Sequence, residues 1–548
     1  MGEATRAGEA DAGEGTIPGP VAAATAWLTG ASGRSGTWSR DVIVPRHAGP
    51  RGDPWPPALP RRPGAGSGIE RRGWAAAAAL LVLLHAARQV ASVASAPMPQ
   101  QYDYDEGVYA ETALVAPPSS LYRETFLSQP PLVVLLLRLA FHVGSPTLVT
   151  ARLLIVAFSV LWLLALVSLG SSAGRPWTGV FAVAGLLLSP LVLREAHTVH
   201  MEVPSEALAA LAVALPARDP RLPVWWVASG AVLALAASTK LSAVLALAPL
   251  AVLALRSVPS PARARVASGF FGALLGLSAA LAAPFADREA LHQVVTYHAH
   301  LLTGLGPDLK AHAAAIGRGL ASQGLLAGGA ALGVAVAARS RDTLDLLSIA
   351  WLASAGSALL VLTPLWTHHL VFLLSPLALL AGGGAERLLA SLPDRARRLA
   401  PGAVVGVLAL SLLSLSPWGM APASGGDLEA MVARVRASLP PSELLLTDDP
   451  MVAFLARRGV PPALVDTSVA RIRAGELSQR TVEAVLGDPR IGGVVLWRGT
   501  FAGAFPELVA AAEKAFPVHV AVGRGQLWLR APAAPASLRP GGPAPGRR

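Results

Sequence analysis

The residues best suited to chemistry are unevenly spread along this chain. One run, Tyr102-Asp103-Tyr104-Asp105-Glu106-Gly107-Val108-Tyr109-Ala110-Glu111, sets carboxylates beside tyrosines. Further along come Arg194, Glu195, His197, His200 and Glu202, then Lys240, then His292, His298, His300, Lys310 and His312, and finally His368 and His369. A carboxylate can accept a proton from a reacting group, while arginine and lysine hold anions through charge-assisted hydrogen bonds. His298 and His300 form a His-x-His pair that could meet a metal, although that spacing alone is a weak signal and interfacial loop histidines look the same. Blander roles exist for the others too: Asp105 as a helix N-cap, Glu106 as a first-turn carboxylate facing the helix dipole, Lys240 as a snorkelling anchor. The chain has no cysteine, which excludes disulfides, Cys-ligated metal sites and a thiol nucleophile.

The elements that position these residues are read from hydropathy. The chain is 53% hydrophobic and only 14% charged, against about a quarter charged in an average soluble domain. Its apolar residues lie in blocks near the roughly 20 residues needed to cross a bilayer. The sequence predicts an α-helical polytopic membrane protein of about eleven transmembrane helices, the first over Trp74 to Ala96 and the others near 149–170, 176–193, 203–217, 223–239, 241–256, 267–286, 315–338, 344–363, 368–384 and 400–416. With the N-terminus cytoplasmic, alternate loops carry the arginines: Arg175; Arg218 and Arg221; Arg256, Arg263 and Arg265; Arg339 and Arg341; and Arg387, Arg395, Arg397 and Arg398. The run Pro131 to Gly144 is too short to span and holds Arg138, so it reads as an interfacial helix closing a long outer loop, 97–148. In this topology the candidate residues gather on the outer face. Ionisable groups at a membrane boundary are costly unless solvated or paired, which makes that convergence a functional signal.

The net charge of +11 does not point to nucleic acid, because no basic run is interleaved with aromatics. Residues 1–70 are rich in Gly, Pro, Ala and Arg and are expected to be a disordered cytoplasmic tail; a start codon set too far upstream would explain them equally. Residues 71–420 form the transmembrane unit. Residues 427–531 read as a small extracytoplasmic α/β domain, with strands at Leu444–Thr447, Ala463–Asp466, Gly493–Trp497, His519–Val522 and Gln526–Leu529. Its Asp448, Asp449 and Asp466 read as turn and cap residues. Residues 532–548 are expected to be a disordered tail.

The segment Asp105-Glu106-Gly107-Val108-Tyr109-Ala110-Glu111, followed by Leu121-Tyr122-Arg123 and Phe126 to Pro131, resembles the first outer loop of the C-type (GT-C) glycosyltransferases of the family 39-like branch, the protein O-mannosyltransferases and aminoarabinose transferases. The resemblance continues through Ala151-Arg152-Leu153, Thr239-Lys240 and Ser375 to Gly382. It implies a GT-C-like catalytic domain and transfer of a sugar from a polyprenyl phosphate to an acceptor hydroxyl of a glycan, lipid or protein. The location implied is the outer face of a bacterial inner membrane. It carries the reacting carboxylate onto Asp105, with Glu106 beside it as a second catalytic candidate. Departure of a lipid phosphate needs fixed positive charge, for which Arg123, Arg194 and Lys240 are the candidates. Tyr109, Gln129, His200, Glu202 and His369 are expected to touch substrate. Where the aminoarabinose branch has Glu-Lys before Pro-Pro, one residue binding metal and the other phosphate, this chain has Ser128 and Gln129. His298 or His300 could stand for that branch's histidine ligand, so a divalent metal is an open expectation.

Two other classes compete with the transferase reading. A secondary transporter or flippase would bury charge at the midplane, whereas the predicted span interiors carry little. An assembly protein with an outer partner-binding domain would leave the acidic first-loop motif unexplained.

Overall fold

The computed structural model describes residues 68–95, 102–340, 342–393, scattered positions between 395 and 410, and 426–530. The tails expected at 1–70 and 532–548 lie almost wholly outside the described residues, as does most of the span expected at 400–416. The chain is mostly helical. Its first half comprises α1 (Gly68–Ser95), α2 (Tyr104–Val115), α3 (Leu132–Val143), α4 (Leu148–Ser172), α5 (Pro176–Leu187), α6 (Pro190–Glu195), α7 (Glu202–Arg218) and α8 (Pro223–Ala237).

Five helical stretches are long and apolar enough to cross a bilayer: Gly73–Ser95, Leu148–Ser172, Ser260–Phe285, Thr343–Val361 and Thr367–Ala390. This is a multi-spanning membrane protein, but eleven full-length spans are not found among the described residues. The differences have local causes. The block expected over 176–193 breaks after Leu187, because Pro190 cannot donate to the helix ladder and the Ser189 hydroxyl instead caps α6 by accepting from the Val192 amide. α8 has 15 residues, about 22 Å at 1.5 Å per residue, short of a hydrocarbon core of about 30 Å. The block over 315–338 belongs to two helices, Leu309–Ser322 and Gly324–Ser340, bent by 104°. The expected interfacial run is indeed a helix, α3, and its arginine has a structural use. Arg138 Nη1 donates to the carbonyls of Ala113 and Ala116, two of those that the end of α2 leaves without an intrahelical partner.

α4 orders both ends of the bundle. Near its start Arg152 meets Glu106. Just past its end Arg175 pairs with Asp345 at 2.9 Å and Glu386 at 2.8 Å, tying three helices together.

The C-terminal sheet has the order β1 (Leu444–Thr447), β2 (Ile491–Leu496), β4 (Gly525–Leu529), β3 (Val518–Val522). β1 and β2 are parallel, so the chain between them must cross over, and it does so through helices Pro450–Ala456 and Gln479–Leu486. The strand expected at Ala463–Asp466 is instead a 3-10 turn, Pro462–Leu464, since neither Pro461 nor Pro462 has an N–H for a ladder. Leu446, Val494, Phe501, Leu508 and Trp528 form a core under the sheet.

The membrane bundle and this domain share a second, larger core that runs through α2. Phe141 stacks on Phe454 at a ring separation of 5.8 Å. At Gly107 a Cβ would lie 2.5 Å from the Met451 amide nitrogen, so α2 sits against helix Pro450–Ala456 only because this position lacks a side chain.

Candidate active site

The first turn of α2 is built by a capping box. The Asp103 carboxylate accepts from the Asp105 amide, and the Glu106 carboxylate reaches back to the Asp103 amide. The helix cap is therefore Asp103. Asp105 has neither an ion-pair nor a hydrogen-bond partner for its carboxylate among the described residues, and it lines a cavity of about 720 Å³. Burial pushes its carboxyl up to about 7, opposed by the charge of His200 and aided by that of Asp103.

Glu106, a catalytic candidate in the sequence, is corrected to a framing residue. It is fully buried and does not line the cavity. Its oxygens accept from Arg152 Nε at 2.9 Å, Arg152 Nη2 at 2.7 Å, the Val199 amide at 3.0 Å and the Asp103 amide at 3.3 Å. A carboxylate so fully engaged has no lone pair to offer a substrate.

The three cations expected at phosphate separate in space. Arg123 is 63% exposed, pairs with Asp287 at 3.0 Å and lies away from the cavity lining, so the phosphate role assigned to it is not supported. Arg194 lines the cavity with its guanidinium on Glu195, while Lys240 lines it with Nζ against the buried Glu202 carboxylate. Tyr109, Gln129 and His369 also face the cavity. His200 and Glu202 lie just behind its wall, buried.

His298 and His300 do not form a metal pair. The loop expected there is helical, Tyr297–Leu305, and residues two apart on a helix face different directions. His298 lines the cavity with Nδ1 on the Val294 carbonyl, whereas His300 is exposed and packs on His292. With Ser128 in place of a carboxylate, the metal that the resemblance implies at these positions has no fitting donor set.

Sequence reasoning missed the share of the site that comes from the C-terminal domain. Asp466, Thr467, Ser468, Arg498 and Thr500 line the cavity. Tyr102 donates to Asp449 Oδ2 at 2.6 Å, the Thr467 amide donates to the Tyr104 hydroxyl at 2.6 Å, and the Arg498 guanidinium lies 5.1 Å from the centre of the Tyr104 ring. Asp449 and Asp466 thus do more than shape turns: they tether the acidic loop. The only hint in the sequence was the tyrosines flanking Asp103, since buried phenols need hydrogen-bond partners.

No protein-family model matches the sequence, and no curated protein matches it. Solved structures do. ArnT from Cupriavidus metallidurans in the apo state aligns with a TM-score of 0.56 and 15% identity, over 84% of this chain and 98% of that one. The same protein bound to undecaprenyl phosphate gives 0.51 and 15%, over 83% and 98%. The archaeal oligosaccharyltransferase AglB from Archaeoglobus fulgidus, in complex with an inhibitory peptide and a dolichol-phosphate, gives 0.50 and 12%, over 82% and 71%. The chain has the fold of the GT-C glycosyltransferases.

Proposed function

We propose that this protein is a membrane glycosyltransferase that moves a sugar from a polyprenyl-phosphate donor to an acceptor hydroxyl, with Asp105 as general base. The observation that carries the reading is the unpartnered Asp105 carboxylate facing a cavity that Arg194, Lys240 and Arg498 also line. The ArnT structure with undecaprenyl phosphate supports a lipid-phosphate donor for a chain of this fold. In the reaction the acceptor oxygen attacks the anomeric carbon, its proton passes to Asp105, and the bond from that carbon to the phosphate oxygen breaks. The electron pair leaves on the polyprenyl phosphate, where fixed cations stabilise the developing charge. A phosphate leaves without a general acid, so a single carboxylate suffices and Glu106 is not needed.

The alternation of arginines between loops supports a site on the extracytoplasmic face of a bacterial inner membrane, with the N-terminus cytoplasmic. In this cysteine-free chain, a single cysteine at the 218–221 loop should resist an impermeant label in intact cells. Labelling there would reverse the orientation.

The assay is transfer by the purified protein from a panel of polyprenyl-phosphate sugars. Asp105→Asn keeps the shape but removes the proton acceptor, so turnover should fall by roughly a hundredfold or more with the protein still folded. Turnover at the wild-type rate would refute the role of Asp105.

A further inference from the structure

Behind the cavity wall, His200 is 1% exposed and its two ring nitrogens are differently committed. Nδ1 lies 2.5 Å from Glu195 Oε2, and Arg194 holds Glu195 in turn. With Nδ1–H donating to that carboxylate, Nε2 is the nitrogen left to meet a cation, which would displace its proton on binding. That nitrogen is buried without a hydrogen-bond partner among the described residues, and 3.3 Å from Asp103 Oδ1. His368 completes the group: ligand atoms of Asp103, His200 and His368 all lie within 4.8 Å of one another, and the His200 and His368 ring centres are 4.5 Å apart.

From this arrangement we infer a divalent transition-metal site, of the zinc class, formed by Asp103, His200 and His368. Two imidazoles and a carboxylate are a donor set for zinc or a similar first-row cation, with a remaining position open to water or substrate. Ligands at about 2.0–2.1 Å from a tetrahedral zinc stand about 3.3 Å apart, which is the separation of His200 Nε2 and Asp103 Oδ1. Glu195 is the carboxylate behind a ligating histidine that fixes its tautomer and raises its basicity.

A neighbouring set, Glu202, His368 and His369, has similar spacing but its atoms are already engaged. Glu202 pairs with Lys240. His369 Nδ1 accepts from the Trp366 amide, so neutral His369 carries its proton on Nε2, the nitrogen that faces Glu202 at 3.7 Å. These commitments select the first set, whose Asp103 carboxylate accepts one amide hydrogen bond but pairs with no lysine or arginine among the described residues. Because Asp103 and His368 both line the cavity, the open position would face the donor phosphate. That role rests on the transferase reading; metal binding does not.

The test uses the full chain, purified, stripped with a chelator, and offered Zn²⁺ or Co²⁺ alone. One equivalent per chain should be retained after desalting, and Co²⁺ should give the intense visible bands of a four-coordinate ion. His200→Gln and His368→Gln should cut retention at least tenfold, and Glu195→Gln should weaken affinity by about ten- to a hundredfold. His298→Gln and His300→Gln should retain the full equivalent. Should His200→Gln fail to fold, Asp103→Asn and Glu195→Gln carry the same comparison. The site is refuted if the stripped wild type takes up no metal, or if His369→Gln loses the metal while His200→Gln keeps it. Because uptake is measured without sugar, a protein that holds one equivalent yet transfers nothing refutes the transferase reading and leaves the site standing.

Discussion

Replacing Glu106 by Gln tests whether the acidic loop is framed by charge. The Glu106–Arg152 pair is buried, with side-chain exposures of 0% and 7%. Gln keeps one acceptor oxygen but turns an NH₂ toward Arg152 together with either the Asp103 or the Val199 amide, where the carboxylate accepted. Two buried donors then lose their acceptor, at about 1–3 kcal/mol each, and Arg152 is left as an unpaired buried cation. Breaking such a pair from one side costs about 3–5 kcal/mol. The expected loss in unfolding free energy, followed by denaturant titration in detergent, therefore lies near 3–5 kcal/mol. Arg152→Met should lose a similar amount, and the double change Glu106→Leu with Arg152→Met should recover much of it, because no charge is then stranded. Asp105→Asn, one residue away, should leave stability nearly unchanged, as its carboxylate is unpartnered. The reasoning fails if Glu106→Gln unfolds within about 0.5 kcal/mol of the wild type, the range of an ordinary surface change.

Two further outcomes follow from the same helix. Gly107→Ala should destabilise by about 1–3 kcal/mol despite alanine's better helix propensity of about 1 kcal/mol, because the added Cβ meets the Met451 backbone; a gain in melting temperature would show that α2 and helix Pro450–Ala456 are not in close contact. Glu111 is buried with Oε2 unpartnered, and burial pushes its carboxyl up to about 8 against the opposing Val460 amide. The folded state then binds a proton that the unfolded state has lost, so stability should be highest below about pH 4.5 and fall toward pH 8, by at most about 1.4 kcal/mol per pH unit. Glu111→Gln should flatten that slope, and identical melting profiles from pH 5 to 9 for the two proteins would refute the burial argument.

The sequence by itself determined that the chain enters a membrane, since long charge-poor apolar blocks have no other stable environment. It also marked the first loop as a candidate site, because acidic and aromatic residues next to a span are costly to hold without a use. The sequence offered Asp105 as the cap of this helix, whereas the residue that caps is Asp103, in a capping box with Glu106, and the one left free is Asp105. Tertiary structure alone decided the partners. Glu106 and Glu202 look alike as isolated carboxylates, yet each is neutralised by a cation far away in sequence, Arg152 on α4 and Lys240 at the 3-10 turn after α8. Arg123 and Arg498 are equally basic in sequence, and only packing puts the first on Asp287 and the second over Tyr104 at the cavity. Span lengths also escaped the hydropathy pattern, because a Pro or a local 3-10 turn ends a helix without interrupting the apolar run. Local preferences depend on neighbours along the chain, whereas burial, ion pairing and pKa depend on which distant segments share a site.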